Sequence, residues 1–293
     1  MNESEWLASQ FEEHRPRLRG VAYRMLGSIS DADDAVQDTW LRLSSSDSET
    51  LENLGAWLTT VVARICLNVL RSRTTHREGQ FDETLPDPVI TRESALQPDD
   101  EAMLADSVSL ALLIVLNTLT PSERLSFVLH DMFDFPFEEI APMVGRTPTA
   151  ARQLASRARR RVRGARVPAP EVDRARRREV VDAFFKAARA GDFESLVAVL
   201  HPDAVLRSDF GGRTIDADRV VHGARSVASL ALMFAIPDAE LVPVIVGGDA
   251  GVIVMVNGRA SAIMAFAIND DHIVEIDAIA DPLRVRRFVA DVL

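Results

Sequence analysis

FEEIAPMVGRTPTAARQLASRARRRVR, residues Phe137 to Arg163, reads as a short amphipathic helix, a glycine turn and a second helix that becomes arginine-rich. Phe137, Ile140, Ala141 and Val144 supply one apolar face, and Gly145 can take the positive φ that ends a helix sharply. Thr147 suits an N-cap with Pro148 at the first helical position. Ala151, Leu154, Ala155 and Ala158 then recur at helical spacing, a seam of small residues along which two helices cross closely. The pattern predicts a helix-turn-helix whose second helix enters the DNA major groove. Eight arginines fall between Arg146 and Arg166, and no acidic residue occurs between Glu139 and Glu171. An ordinary solvated hairpin mixes charge signs, so this one points to a nucleic-acid backbone.

The chain around it has 293 residues, enough for two or three domains, with 47% hydrophobic and 26% charged residues. Its net charge of −11 excludes indiscriminate nucleic-acid binding: a basic segment in an acidic protein implies oriented binding. Cys66 is the single cysteine, which excludes an intrachain disulfide or a cysteine-based zinc site and fits a small core residue. The N-terminal residues lack the basic and apolar regions of a signal peptide, and no apolar run reaches about 18 residues. The expectation is a cytoplasmic protein with no membrane association and no cofactor.

Residues 3–77 are helical by periodicity. Residues 78–106 carry nine acidic residues against Arg92 alone, together with Pro86, Pro88 and Pro98, and are expected to be a tether or a mask for basic surfaces. Residues 107–166 are helical and end in the helix-turn-helix. A proline-containing connector, 167–173, leads into 174–293, where helices precede alternating strands. Gly247-Gly248, Asn257-Gly258 and Asp270-Asp271 separate the later strands at hairpin spacing, which predicts an α+β domain with a curved antiparallel sheet.

In the first block, Leu58, Val62, Ile65 and Val69 form an apolar stripe, while Arg64, Asn68 and Arg71 project from another side. Trp57 stands at the start of this helix and Arg73 near its end. Guanidinium groups hold phosphates and planar groups stack on or read unpaired bases, so this face suits single-stranded DNA, although a solvated polar side explains it equally well. On an upstream helix, Val36, Trp40 and Leu43 face inward, while Asp34, Gln37, Asp38 and Arg42 face out and are available to a protein partner.

The order LRGVAYRMLGSISDADDAVQDTWLRL, AWLTTVVARICLNVLRSR, an acidic linker, and LTPSERLSFVLHDMFDFPFEEIAPMVGRTPTAARQLASRARRRV resembles an extracytoplasmic-function sigma factor. The resemblance covers about residues 10–165. It implies two all-α sigma domains that bind the RNA polymerase core, at its clamp helices and flap, and recognise promoter DNA. Asp34, Gln37, Asp38, Trp40 and Arg42 match the polymerase-contacting helix. Arg64, Asn68, Arg71 and Arg73, with Trp57 beside them, match the −10 side. Thr149, Arg152, Gln153, Ser156 and Arg157, with Arg160 a turn further on, match the −35 recognition helix, where Leu154 replaces a basic residue common in the family.

The last 120 or so residues resemble SnoaL-like domains of the NTF2-like superfamily, cone-shaped α+β folds with a central pocket. A subset of these sigma factors carries this extension, which implies control of activity in place of, or beside, an anti-sigma factor. Asp209, Gly211, Gly212 and Arg213, within Asp-Phe-Gly-Gly-Arg, approximate the subset's Asp-Gly-Gly-Gly-basic signature and are assigned a regulatory role. His201, Asp203, Asp209, His222, His272 and Asp277 are the groups available for acid–base chemistry; ligand sensing or regulation is the expected use of this block, and catalysis is not. The rival reading is a stand-alone helix-turn-helix regulator that senses a small molecule and binds DNA without polymerase.

Overall fold

The computed structural model describes residues 3–45, 53–76, 85–93, 108–164, 174–211, 219–290 and 292–293. The chain divides into two compact units, Met1–Phe81 with Leu113–Ala165, and Asp82–Leu112 with Arg166–Leu293.

The first unit is helical. It contains α1 (Glu3–Leu26), α2 (Ile29–Ser44), α3 (Leu54–His76), most of α4 (Leu110–Asn117), α5 (Pro121–Phe127), a π-helical turn (Val128–Met132), α6 (Phe137–Val144) and α7 (Pro148–Gly164). Ser28 caps α2 by accepting the Asp31 backbone N–H at 3.3 Å. Thr120 and Glu123 form a reciprocal capping box at the start of α5, where Pro121 occupies the first turn. Gly145 ends α6 at φ 67°, ψ 42°, the left-handed conformation that glycine adopts without strain. A 22-residue stretch of α3, Leu54–Thr75, is long and apolar enough to cross a membrane when charges are tolerated in it, contrary to the reading of the bare sequence. Here Leu58, Val62, Ala63, Cys66 and Leu67 are buried, and α3 packs against α1 and α2 as a core helix.

The two helical blocks expected as separate domains share this unit. Arg124 of α5 donates through Nε to the Arg24 carbonyl oxygen at 2.9 Å and through Nη1 to Asn117 Oδ1 at 2.6 Å. Arg17 donates to the Phe133 carbonyl oxygen at 3.1 Å, and the Arg24 guanidinium lies over the Phe133 ring.

The second unit is α+β. It comprises β1 (Ile90–Arg92), α8 (Arg174–Ala190), α9 (Phe193–Val199), β2 (Leu200–Asp209), β3 (Arg219–His222), α10 (Ala224–Met233), β4 (Glu240–Val246), β5 (Asp249–Val256), β6 (Arg259–Asn269), β7 (His272–Ile279) and α11 (Pro282–Val289). Its described strands form one sheet in the order β1-β4-β5-β6-β7-β2-β3. Among the described strands β2 pairs with β7 in parallel and every other pair is antiparallel, so the sheet is mostly antiparallel, as expected. Asn257, Gly258, Asp270, Asp271, Gly247 and Gly248 all have positive φ, so the three hairpins turn at the dipeptides the sequence marks. Val181, Phe184, Leu196, Val227, Phe266 and Ile276 are among the buried residues between helices and sheet.

The acidic segment is not simply a tether. Leu85–Pro88 are buried and β1 adds an edge strand to β4, with Thr91 opposite Ile245. Leu85 and Ile90 supply apolar anchors, and edge pairing satisfies backbone groups that composition alone assigns to solvent. The rest of that segment, the 167–173 connector, and Gly212 and Arg213 lie outside the described residues.

Candidate nucleic-acid interface

The seam of α7 is buried: Ala151, Ala155 and Ala158 are each fully excluded from solvent. Helical geometry therefore fixes the opposite face. Thr149, Arg152, Gln153, Ser156 and Arg160 are exposed on it, at the spacing that places side chains in one row. The Ala150 backbone N–H donates to Thr147 Oγ1 at 3.3 Å, which confirms the expected cap. Leu154 is half-buried between the two faces.

The arginines of α7 separate into two groups. Arg157 Nε donates to Glu123 Oε1 at 2.9 Å, and Arg161 reaches Glu123 Oε2 at 3.3 Å and the Thr118 carbonyl oxygen at 3.2 Å. Burial raises the Glu123 pKa, but hydrogen bonds from Arg157 and Thr120 more than offset this and hold the carboxyl below its usual range. Arg159 pairs with Asp131. Arg157 is thus tied to the neighbouring helix while its side chain stays 48% exposed, beside the outward row. Arg152 stacks over the Phe137 ring at 5.2 Å and, like Arg146, Arg160 and Arg163, is exposed.

On α3, Arg64, Asn68 and Arg71 are exposed along one side, while Trp57 is half-buried. Arg73 departs from this row: its Nη2 lies 2.5 Å from Asp31 Oδ2, tying the end of α3 to α2. On α2, Asp34, Gln37, Asp38 and Arg42 are exposed, and Trp40 packs its ring against Phe11 at 5.1 Å. Leu41 was missed by the sequence reading. It is 55% exposed and completes the 34-37-38-41 row, so helical spacing could have found this apolar residue on an otherwise polar face.

In the second unit, Asp209 is buried and engaged. It accepts the Leu85 backbone N–H at 3.2 Å and the Gly211 N–H at 2.9 Å, and it pairs with Arg284 of α11. Arg284 also donates to the Leu85 carbonyl oxygen at 2.6 Å and to Asp87 Oδ1 at 3.1 Å, and Arg287 bonds Asp87 Oδ2 at 3.2 Å. Arg178 closes the far end of the segment on Glu93 at 2.9 Å. His201, Asp203, His222 and His272 lie at half-buried or exposed positions, and Asp277 shares a face of β7 with Glu275 and faces Arg207. These six acid–base candidates are not gathered around a common cavity. Among the described residues, no group of three or more His, Cys, Asp or Glu could hold a metal ion.

A sigma-70 region 2 model matches residues 10–75, and a sigma-70 region 4 model matches residues 109–162. The chain is 40% identical over 224 residues to "ECF RNA polymerase sigma factor SigJ" of Mycobacterium tuberculosis, covering 76% of this chain and 72% of that protein. It is 34% identical over 285 residues to "Probable ECF RNA polymerase sigma factor SigI" of the same species, covering 96% of each chain. The crystal structure of M. tuberculosis SigJ superposes with a TM-score of 0.73 at 35% identity, over 94% of this chain and 97% of that one. The architecture is therefore the one expected: helical sigma regions followed by an α+β domain with a mostly antiparallel sheet.

Proposed function

Because the chain belongs to the extracytoplasmic-function sigma factors of RNA polymerase, we propose that its exposed helical faces divide the work of promoter recognition among them. As a sigma factor it binds the polymerase core and promoter DNA, directs the start of transcription and is not an enzyme. It acts in the cytoplasm, where polymerase works.

The carrying observation is the sidedness of α7. Its alanine seam is buried, so the row of Thr149, Arg152, Gln153, Ser156 and Arg160 is the surface presented to the −35 major groove. Arg64, Asn68 and Arg71 of α3 hold and read the melted −10 strand by phosphate contact and base stacking. Trp57 lies beside them. Asp34, Gln37, Asp38 and Arg42 of α2, with Leu41 beside them, dock on the clamp helices; an exposed leucine ringed by polar groups fits the apolar centre and polar rim of an interface. Arg157 and Arg73 support these faces from behind through Glu123 and Asp31. The polymerase flap receives the second sigma region. The NTF2-like domain modulates activity, with Asp209 and Gly211 as the core of the regulatory signature, in place of or beside an anti-sigma factor.

Run-off transcription with reconstituted polymerase tests the division. Arg152→Ala lowers promoter occupancy, and Arg64→Ala and Asn68→Ala leave occupancy largely intact but reduce strand opening, read by permanganate reactivity. Unchanged transcription in all three overturns the assignment.

A further inference from the structure

The second unit encloses a cavity of about 230 Å³ between α8, α10 and the sheet. Phe185, Leu230, Leu241, Val254 and Met264 on its wall are only half-buried, although they face inward from the packed core. Phe210 and Phe234 approach each other at 6.2 Å on the same wall. Apolar area left uncovered inside a fold is area a ligand can remove from water, at about 25 cal/mol per Å². The polar side chains on the wall are Ser208, Ser261 and Arg189, and Arg189 already donates to the Ala239 carbonyl oxygen.

The wall also determines what the cavity does not do. Among the described residues, neither carboxylate nor imidazole lines it; Asp209, Asp277, His201, His222, His272 and Asp203 all lie elsewhere. A general base must reach the proton it removes, so this cavity is built for binding and not for turnover. Among the described residues the one charged group on the wall is Arg189, held by the Ala239 carbonyl oxygen; a cation finds no counter-charge there, and the apolar remainder of the wall favours an uncharged occupant. The volume is below the roughly 300–1,000 Å³ of drug-sized pockets, so a one- or two-ring molecule fits.

One strand connects the cavity to the acidic segment. Ser208 and Phe210 line the cavity, while Asp209 between them holds Leu85 and Arg284. Ala278 of β7 and Ala280 just past its end line it, and the next residue, Asp281, caps α11, the helix that carries Arg284. A shift of this wall therefore moves both sides of the clasp on Leu85–Asp87.

We propose that the cavity binds an uncharged, largely apolar small molecule, anchored by one hydroxyl or carbonyl on Ser261, and that its occupancy alters the hold on residues 85–93. The proposal stands on the second unit alone and does not depend on the promoter assignment.

The test uses the full chain without polymerase or DNA, and the neutral two-ring, carbonyl-bearing fluorophore 6-propionyl-2-(dimethylamino)naphthalene. The expected result is saturable enhancement at one probe per chain. Ala262→Phe and Ala231→Leu fill the cavity from opposite walls and reduce that affinity at least tenfold. Met233→Ser removes a side chain that is 75% exposed and outside the wall, and leaves affinity unchanged. Unsaturable fluorescence, binding that survives both fillings, or loss through Met233→Ser overturns the site. Hydrogen exchange at residues 85–93 is expected to change several-fold with bound probe; unchanged exchange overturns the coupling.

Discussion

Arg152 and Arg157 are both exposed on one helix but differ in partner: Arg157 bonds Glu123, whereas Arg152 lies over the Phe137 ring. Arg157→Ala is therefore expected to lower stability by about 1 kcal/mol, since Glu123 keeps one cationic partner, Arg161. Thermal melting checks this. Arg152→Ala leaves melting within about 0.5 kcal/mol and instead flattens the salt dependence of promoter binding by about one unit of slope. Cys66 gives a second contrast. Burial pushes its thiol up to about 12, so it stays protonated at neutral pH. Native protein should resist iodoacetamide over hours and react within minutes in denaturant, read by mass spectrometry.

Among elements, the clasp at Leu85–Glu93 converts a polar, proline-containing stretch into the edge of a sheet. Asp209 organises one end of it by accepting a backbone N–H that would otherwise be buried without a partner, a loss of about 1–3 kcal/mol. Asp209→Ala should raise hydrogen exchange at residues 85–93 while exchange in the helices of the first unit stays unchanged. The α6–α7 turn is set by its local sequence. Gly145→Ala meets no neighbour within 4 Å, so its cost is conformational, about 1 kcal/mol for an alanine at positive φ.

For the molecule as a whole, the second unit carries two buried carboxyls, Asp249 and Asp277, whose pKa values burial raises. Burial, partly offset by Arg177, pushes Asp249 up to about 7, and burial together with Glu275 raises Asp277 well above its usual range. A folded pKa above the unfolded one means the folded state binds more protons between about pH 4 and pH 7. That stabilisation is complete below the unfolded pKa and is lost as pH rises through the folded value. The unfolding midpoint of this unit should fall between pH 5.5 and pH 8, and Asp249→Asn should flatten the slope; a midpoint that rises would refute the assignment.

Local chemistry made much of this protein legible. Gly145, Thr147 and Pro148 bound the helix-turn-helix, the alanine seam gives its inner face, and three positive-φ dipeptides mark the hairpins, because each is set by residues within a turn of one another. The order of these motifs was enough to place the chain among sigma factors. Which arginines pair with Glu123, that Arg73 is tied to Asp31, and that Leu85–Glu93 joins a sheet more than 100 residues away were decided only in three dimensions. Those outcomes depend on partners distant in sequence, and an arginine reads the same whether its partner is a phosphate or a buried carboxylate. The cavity belongs to the same class: its wall is assembled from α8, α10 and five strands, and no one segment carries its signature.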